Sequence, residues 1–494
     1  MYCRAAYRQW EERILAATVA LRRRDLCLHL GEPVPQTSAG EIPTMAELKT
    51  IGACFGSTGL AGRLYQQAAE LYIRSRVEPF QAVFASWMNG AKAQVGGQAI
   101  PFPDVIRWCQ DTGDTEARRL MAREVRSLCR FLAPLNRGSW VALLSVLTDQ
   151  MGYPDYPQYC EEKRGRPLES SLELAREFLR RSGPVYRSRM VPWLKSVTGL
   201  AMDQATRFDA IYMLGLRHLD PLFPKQANVP DILCFFNALG LTVAGNQGLH
   251  VHAEGQSGRQ SYCVPVEIPG EIHVIVGPLG GWLDLEALGH ELGHAASLLY
   301  VDPALSPSKK DFFPSGALSE AFAFLFQRVF MSRPFLEDGL GLDKSAAVQV
   351  SRAHDIKWLA LARRYAAKLV VQILNFRAGR LRSGEALYSR IMHEESGFLY
   401  EPETYLFDLM PDFYDMDYFH AFLGAECLAA HLAGTIGPNW PFDPAAGSVL
   451  RGWWARGNEA DLIDFLESSL HRPLECGPFL SSICPEAAAA LNDQ

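Results

Sequence analysis

Apolar residues recur every three to four positions through most of the first 225 residues, the period of helices that bury one face. Residues 5–29 form one amphipathic stretch carrying Trp10, Ile14, Leu15 and Val19. The pattern resumes around 46–88, stops near Asn89-Gly90, and returns at about 114–134, 138–150, 168–182, 186–198 and 201–218. Pro, Gly and Ser break it at 31–45 and at 96–104, which read as loops. A helical N-terminal region over 1–225 is the expectation.

From 231 to 277 the pattern changes. Alternating and β-branched residues appear in LCFFNALGLTVAG, LHVHAE, RQSYCVPVEI and EIHVIVGP, with a turn at Pro269-Gly270. A small sheet with a hairpin is expected there, ahead of a helix over 284–300 that Asp284 would cap. After a Pro- and Ser-containing loop, ALSEAFAFLFQRVF predicts a second helix at 315–329. Further helices are expected near 346–379, 384–393, 417–435 and 458–470, with a loop-rich stretch at 394–413. Residues 226–494 would form the second region, in a mainly α protein.

Composition narrows the class. Of 494 residues, 48% are hydrophobic and 21% charged, the balance of a globular protein with a large core. A net charge of −7 gives no reason to expect a nucleic-acid partner. The basic run Arg22-Arg23-Arg24 reads as a solvated helix face. Eleven cysteines, scattered and without a CxxC pair, argue against a disulfide framework and against a cysteine-based metal site. The N-terminus lacks the apolar stretch of a secretory signal, and no run reaches the ~18 apolar residues of a membrane span. The chain reads as cytoplasmic.

The helix expected at 284–300 carries His290-Glu291-Leu292-Gly293-His294. Residues four apart share one helix face, so both imidazoles can point at one metal ion. Glu291 lies on the same side, placed to act on a metal-bound water. Catalytic zinc commonly takes three protein ligands and leaves one position open. Glu320, an acidic residue in an apolar run on the next helix, is the favoured third ligand, because a buried carboxylate needs a counter-charge. Glu286, Glu394 and Glu395 are rivals. His250, His252 and His273 fall in the sheet segment and read as substrate-side or surface histidines. A His₂Glu zinc would activate water and polarise a carbonyl, with Glu291 as general base and a Tyr or His supplying a further donor to the oxyanion. The free edge of the neighbouring sheet could pair with a substrate backbone.

These residues resemble the thimet oligopeptidase and oligoendopeptidase F group of zinc metallopeptidases. LDLEAL followed by HELGHA is similar to the family's active-site helix, and GRQSYCVPVEIPGEIHVIV to its preceding turn and strand. PSGALSEAFAFLF resembles its third-ligand helix, which carries the glutamate ligand onto Glu320 and implies a gluzincin-type site. The tail FDPAAGSVLRGWWARGNEADLIDFLESSLHRPLECGPFL, with Arg472-Pro473, resembles the family's C-terminal segment. The likeness covers about 250–480. It implies a helical, clam-like body with one zinc per chain on the floor of a deep central channel that admits short peptides.

Two departures stand out. The family's tyrosine-rich segment falls on DFYDMDYFHAFLGAECLAAHL; Gly424 fits, but Ala425, Glu426 and Leu428 stand where tyrosines follow. Tyr414, Tyr418, His420 and His431 are nearby substitutes, with Tyr418 and His420 taken as catalytic. Ser297 replaces a family histidine just after the motif. The leading expectation is a zinc-dependent oligopeptidase. The alternatives are a relative specialised for a precursor peptide or small amide, and a non-catalytic peptide-binding protein.

Overall fold

A computed structural model describes residues 4–34, 41–223, 229–252, 261–277 and 281–483. It is mostly helical, with two small sheets. The boundary expected at residue 225 lies outside the described residues.

Several segments read as separate helices are continuous. Thr115–Ser145 runs through Pro134, and Leu168–Thr198 runs through Pro184 and Pro192. A proline inside a helix removes one backbone hydrogen bond and costs about 3 kcal/mol. Along Leu168–Thr198 the buried stripe Leu172, Ala175, Leu179, Tyr186, Met190 and Leu194 continues past both prolines, so burial outweighs that cost.

The loop expected at 96–104 is partly a hairpin. Strand β1 (Lys92–Val95) pairs antiparallel with β2 (Gln98–Pro101). Gly96 and Gly97 both have positive φ, 57° and 79°, which a tight hairpin turn between right-twisted strands requires.

The small sheet begins later than expected, because Val229–Ala238 is a helix. Ile232, Phe235, Phe236 and Leu239 are buried at helical spacing, a period the nearly continuous apolar run conceals. The sheet comprises β3 (Leu249–His252), β4 (Tyr262–Glu267) and β5 (Glu271–Ile275), in the order β3-β5-β4. β3 runs parallel to β5, and β4 forms the expected hairpin with it. Ile272 and Val274 enter the main core; Val264, Val266 and Ile275 pack with Leu26 of the first helix, Arg4–Leu30.

The basic run on that first helix is not simply solvated. Arg22 pairs with Asp311 at 3.0 Å, Arg23 with Glu271 at 2.5 Å, and Arg24 with Glu78. These pairs tie the first helix to the sheet side and to helix Gly59–Gly90.

Four helices frame the site. The motif helix spans Trp282–Leu299, two residues earlier at its start than expected, with Gly281 rather than Asp284 at its N-cap. The glutamate helix, Ala317–Phe330, packs between the motif helix and the tyrosine helix, Tyr414–Thr435. The long helix, Lys344–Arg377, backs the tyrosine helix. No described helix is long and apolar enough to cross a membrane.

Candidate metal centre

Glycines set the spacing of the ligand-bearing helices. A Cβ added at Gly293 would lie 2.7 Å from the Cα of Ala323, and one at Gly289 would lie 2.4 Å from the ring of Phe330. The glycine inside the HELGH run therefore lets the motif and glutamate helices touch almost backbone to backbone. That approach brings His290, His294 and Glu320 together, with one ligand atom from each within 4.8 Å of the others.

Glu320 Oε2 lies 3.4 Å from His290 Nε2 and 3.6 Å from His294 Nε2. Its other oxygen accepts a 2.5 Å hydrogen bond from the Tyr414 hydroxyl. Glu320 is 4% exposed, and Oε2 is a buried oxygen without a hydrogen-bond donor. A buried carboxylate oxygen facing two imidazole nitrogens fits a cation between them. Burial opposes ionisation of Glu320, but the two histidines outweigh it and hold its carboxyl well below the usual range. Burial likewise opposes the charged form of His290, and Glu320 overcomes this to raise it to about 9.

Each imidazole is held from behind. His290 Nδ1 lies 2.9 Å from Gln327 Oε1, and His294 Nδ1 lies 2.8 Å from Ser319 Oγ. Such contacts fix ring orientation and leave Nε2 facing the centre. Glu291 is directed into the same cleft. Burial raises its carboxyl above the ordinary value, against the pull of His290 and His294 and of a hydrogen bond from the backbone N–H of Cys263.

The centre opens into a cleft of about 630 Å³. β4 lines it with Tyr262, Cys263 and Pro265, and Phe324, Tyr365, Tyr414, Tyr418 and Phe422, with Leu361, form a largely aromatic wall. Tyr418 stacks on Tyr365, with ring centroids 4.8 Å apart. Burial raises both phenols, and the Glu320 carboxylate adds to the rise in each; Tyr365 reaches about 12. A larger cavity of about 720 Å³ lies between the first helix and Gly59–Gly90, away from these groups.

His290, Glu291, His294, Glu320, Tyr414 and Tyr418 thus converge on one cleft. His420 does not join them. Tyr414, Tyr418 and Phe422 are spaced by four on the tyrosine helix, whereas His420 is two residues from Tyr418 and faces the opposite way. It lines a separate small cavity with Arg164, Arg166 and Met416. There burial, with the charges of Arg164 and Arg166, depresses its imidazole to about 3. His431 packs at a tilt against Trp453 instead, 5.8 Å between centroids.

The rival carboxylates have other partners: Glu286 binds His354 and Lys357, Glu395 pairs with Arg363, and Glu394 is exposed. His250, His252 and His273 form a stack on the sheet, with His252 Nε2 2.9 Å from His273 Nδ1. They do not line the cleft. Tyr365 and Gln327 were missed by sequence reasoning. Gln327 does carry a signal, since it sits two turns after Glu320 as a polar residue in an apolar run; Tyr365 carries none.

The helical framework, the motif helix laid beside a small mixed sheet, and the glutamate helix together define the architecture of a known class of solved peptidase structures. Two are proteins assigned as oligoendopeptidase F. One is from Bacillus anthracis str. Ames, with TM-score 0.60 and 14% identity over 90% of this chain and 80% of that one. The other has TM-score 0.61 and 12% identity over the same shares. PZ peptidase A, solved with an inhibitor, gives TM-score 0.58 and 13% identity over 99% of this chain and 88% of its own. The chain has the oligoendopeptidase F-like fold. No family model and no curated protein matches it by sequence.

Proposed function

We propose that this chain is a zinc-dependent metallopeptidase that hydrolyses peptide bonds of short peptides. The observation that carries the reading is the orphaned, buried Glu320 Oε2 facing His290 and His294 Nε2, with Glu291 in the same cleft. The fold likeness to oligoendopeptidase F structures supports it.

His290, His294 and Glu320 hold one zinc ion per chain. When bound, that ion supplies Lewis acidity, lowering the pKa of water and polarising a carbonyl. Glu291 takes the proton of the attacking water and passes it to the leaving amine, from its place in the cleft beside the two histidines. Tyr418 donates from the aromatic wall to the developing oxyanion. Tyr414 holds Glu320 in place by bonding its second oxygen. β4, the end strand of the sheet, binds the substrate backbone in extended form along the cleft.

The test is hydrolysis of internally quenched peptides of graded length, with Glu291→Gln as comparison. The variant should keep its zinc and lose at least about 100-fold in kcat, the scale of a general base. Undiminished turnover by Glu291→Gln would remove the mechanism. Cleavage confined to one sequence would favour a dedicated substrate over general peptide turnover.

A further inference from the structure

Behind His290 runs a buried chain of polar side chains. Gln327 Oε1 faces His290 Nδ1 at 2.9 Å, and Gln327 Nε2 donates to Glu286 Oε1 at 3.1 Å. His354 Nε2 lies 3.1 Å from the same Glu286 oxygen, and the Lys357 ammonium binds the other. Arg328 Nη1 donates to His354 Nδ1 at 3.2 Å, and is itself held by Asp355 at 2.8 Å and, through Nε, by Glu426 at 3.0 Å. Glu286, His354 and Lys357 are each less than a tenth exposed.

The donors and acceptors permit only one direction along this chain. A guanidinium can only donate, so His354 Nδ1 accepts and its Nε2 carries the hydrogen. A carboxylate can only accept, so Glu286 receives His354, Lys357 and the amide NH₂ of Gln327. The Gln327 carbonyl is thereby turned toward His290, whose Nδ1 must donate. Once the ring is neutral, as a metal ligand must be, the nitrogen with the lone pair is Nε2, the one facing Glu320.

We infer that Glu286 and Lys357 are positioning residues for the metal centre, acting through Gln327 to fix which nitrogen of His290 faces the ion. The inference rests on the metallopeptidase reading above. It joins the centre to the long helix, since His354 and Lys357 lie on the same helix as Leu361 and Tyr365 of the cleft wall.

A double-mutant cycle on zinc affinity, measured by chelator competition, tests it. Gln327→Leu and Lys357→Met should each weaken zinc binding about 10- to 100-fold, the range for groups that orient a histidine ligand. Because Lys357 acts through Gln327, the second substitution should add less than about twofold in the background of the first. Lys357→Arg, which keeps a cation beside Glu286, should recover part of the loss. The cobalt(II) absorption spectrum should shift alike in both single variants. If Lys357→Met does not fold, Glu286→Gln/Lys357→Met removes both buried charges together and takes its place in the cycle. Effects that multiply independently, or affinity unchanged in Lys357→Met, would overturn the positioning role and leave the peptidase reading intact. A wild-type protein that takes up no zinc would overturn both.

Discussion

Helix geometry decides which groups on Tyr414–Thr435 reach the cleft. Tyr414 and Tyr418 do, and His420 ends among Arg164, Arg166 and apolar neighbours. Burial there holds its imidazole neutral, with a pKa near 3. An unfolded chain would take up a proton at His420 below about pH 6.5, which the folded chain refuses until about pH 3. Stability should therefore fall as pH drops through that window, at up to about 1.4 kcal/mol per pH unit from this residue. His420→Leu should reduce the stability difference between pH 7 and pH 5 by about 2 kcal/mol in chemical denaturation, with hydrolysis at pH 7 unchanged. A large loss of turnover would return His420 to the reaction. Glu320 makes the opposite case. It was legible as a carboxylate in an apolar run, and the structure gives its orphaned oxygen two imidazoles to face. Glu320→Ala should lower zinc affinity by a factor on the order of 100 in dialysis against a chelator, and retained affinity would move the ligand role elsewhere.

The spacing of elements rests on a few small residues. Gly289 and Gly293 admit the glutamate helix, Gly316 admits the ring of Tyr414, and Gly424 seats the tyrosine helix against Leu462 and Ala321. Gly293→Ala would place a methyl 2.7 Å from the backbone of Ala323. The expected outcome is a loss of about 1–3 kcal/mol in thermal unfolding of the metal-free protein, with weaker zinc binding as the ligands spread. A variant of unchanged stability would show that the helices have slack. Helix existence was readable from periodicity, but extents were not. The prolines at 134 and 184 read as breaks, because local rules cannot register the burial that carries the helices through them. The Gly96-Gly97 hairpin was missed because two glycines read equally well as loop.

Across the whole molecule, the site draws on β4, the motif helix, the glutamate helix, the long helix and the tyrosine helix, which lie between residues 261 and 435 of the chain. That span carries the motifs legible in the sequence, while the whole chain is only 12–14% identical to solved structures of like fold. Tyr365 of the aromatic wall and the polar chain behind His290 escaped because Tyr365, His354 and Lys357 meet the site only through tertiary packing of the long helix. The central claim is that one bound metal at His290, His294 and Glu320 makes this chain a peptidase. Titrating zinc into metal-free protein while following hydrolysis of a quenched peptide tests it most directly. The account predicts activity that rises linearly and saturates at one zinc per chain. Hydrolysis that proceeds equally well without metal, or never appears on saturation with zinc, would contradict it.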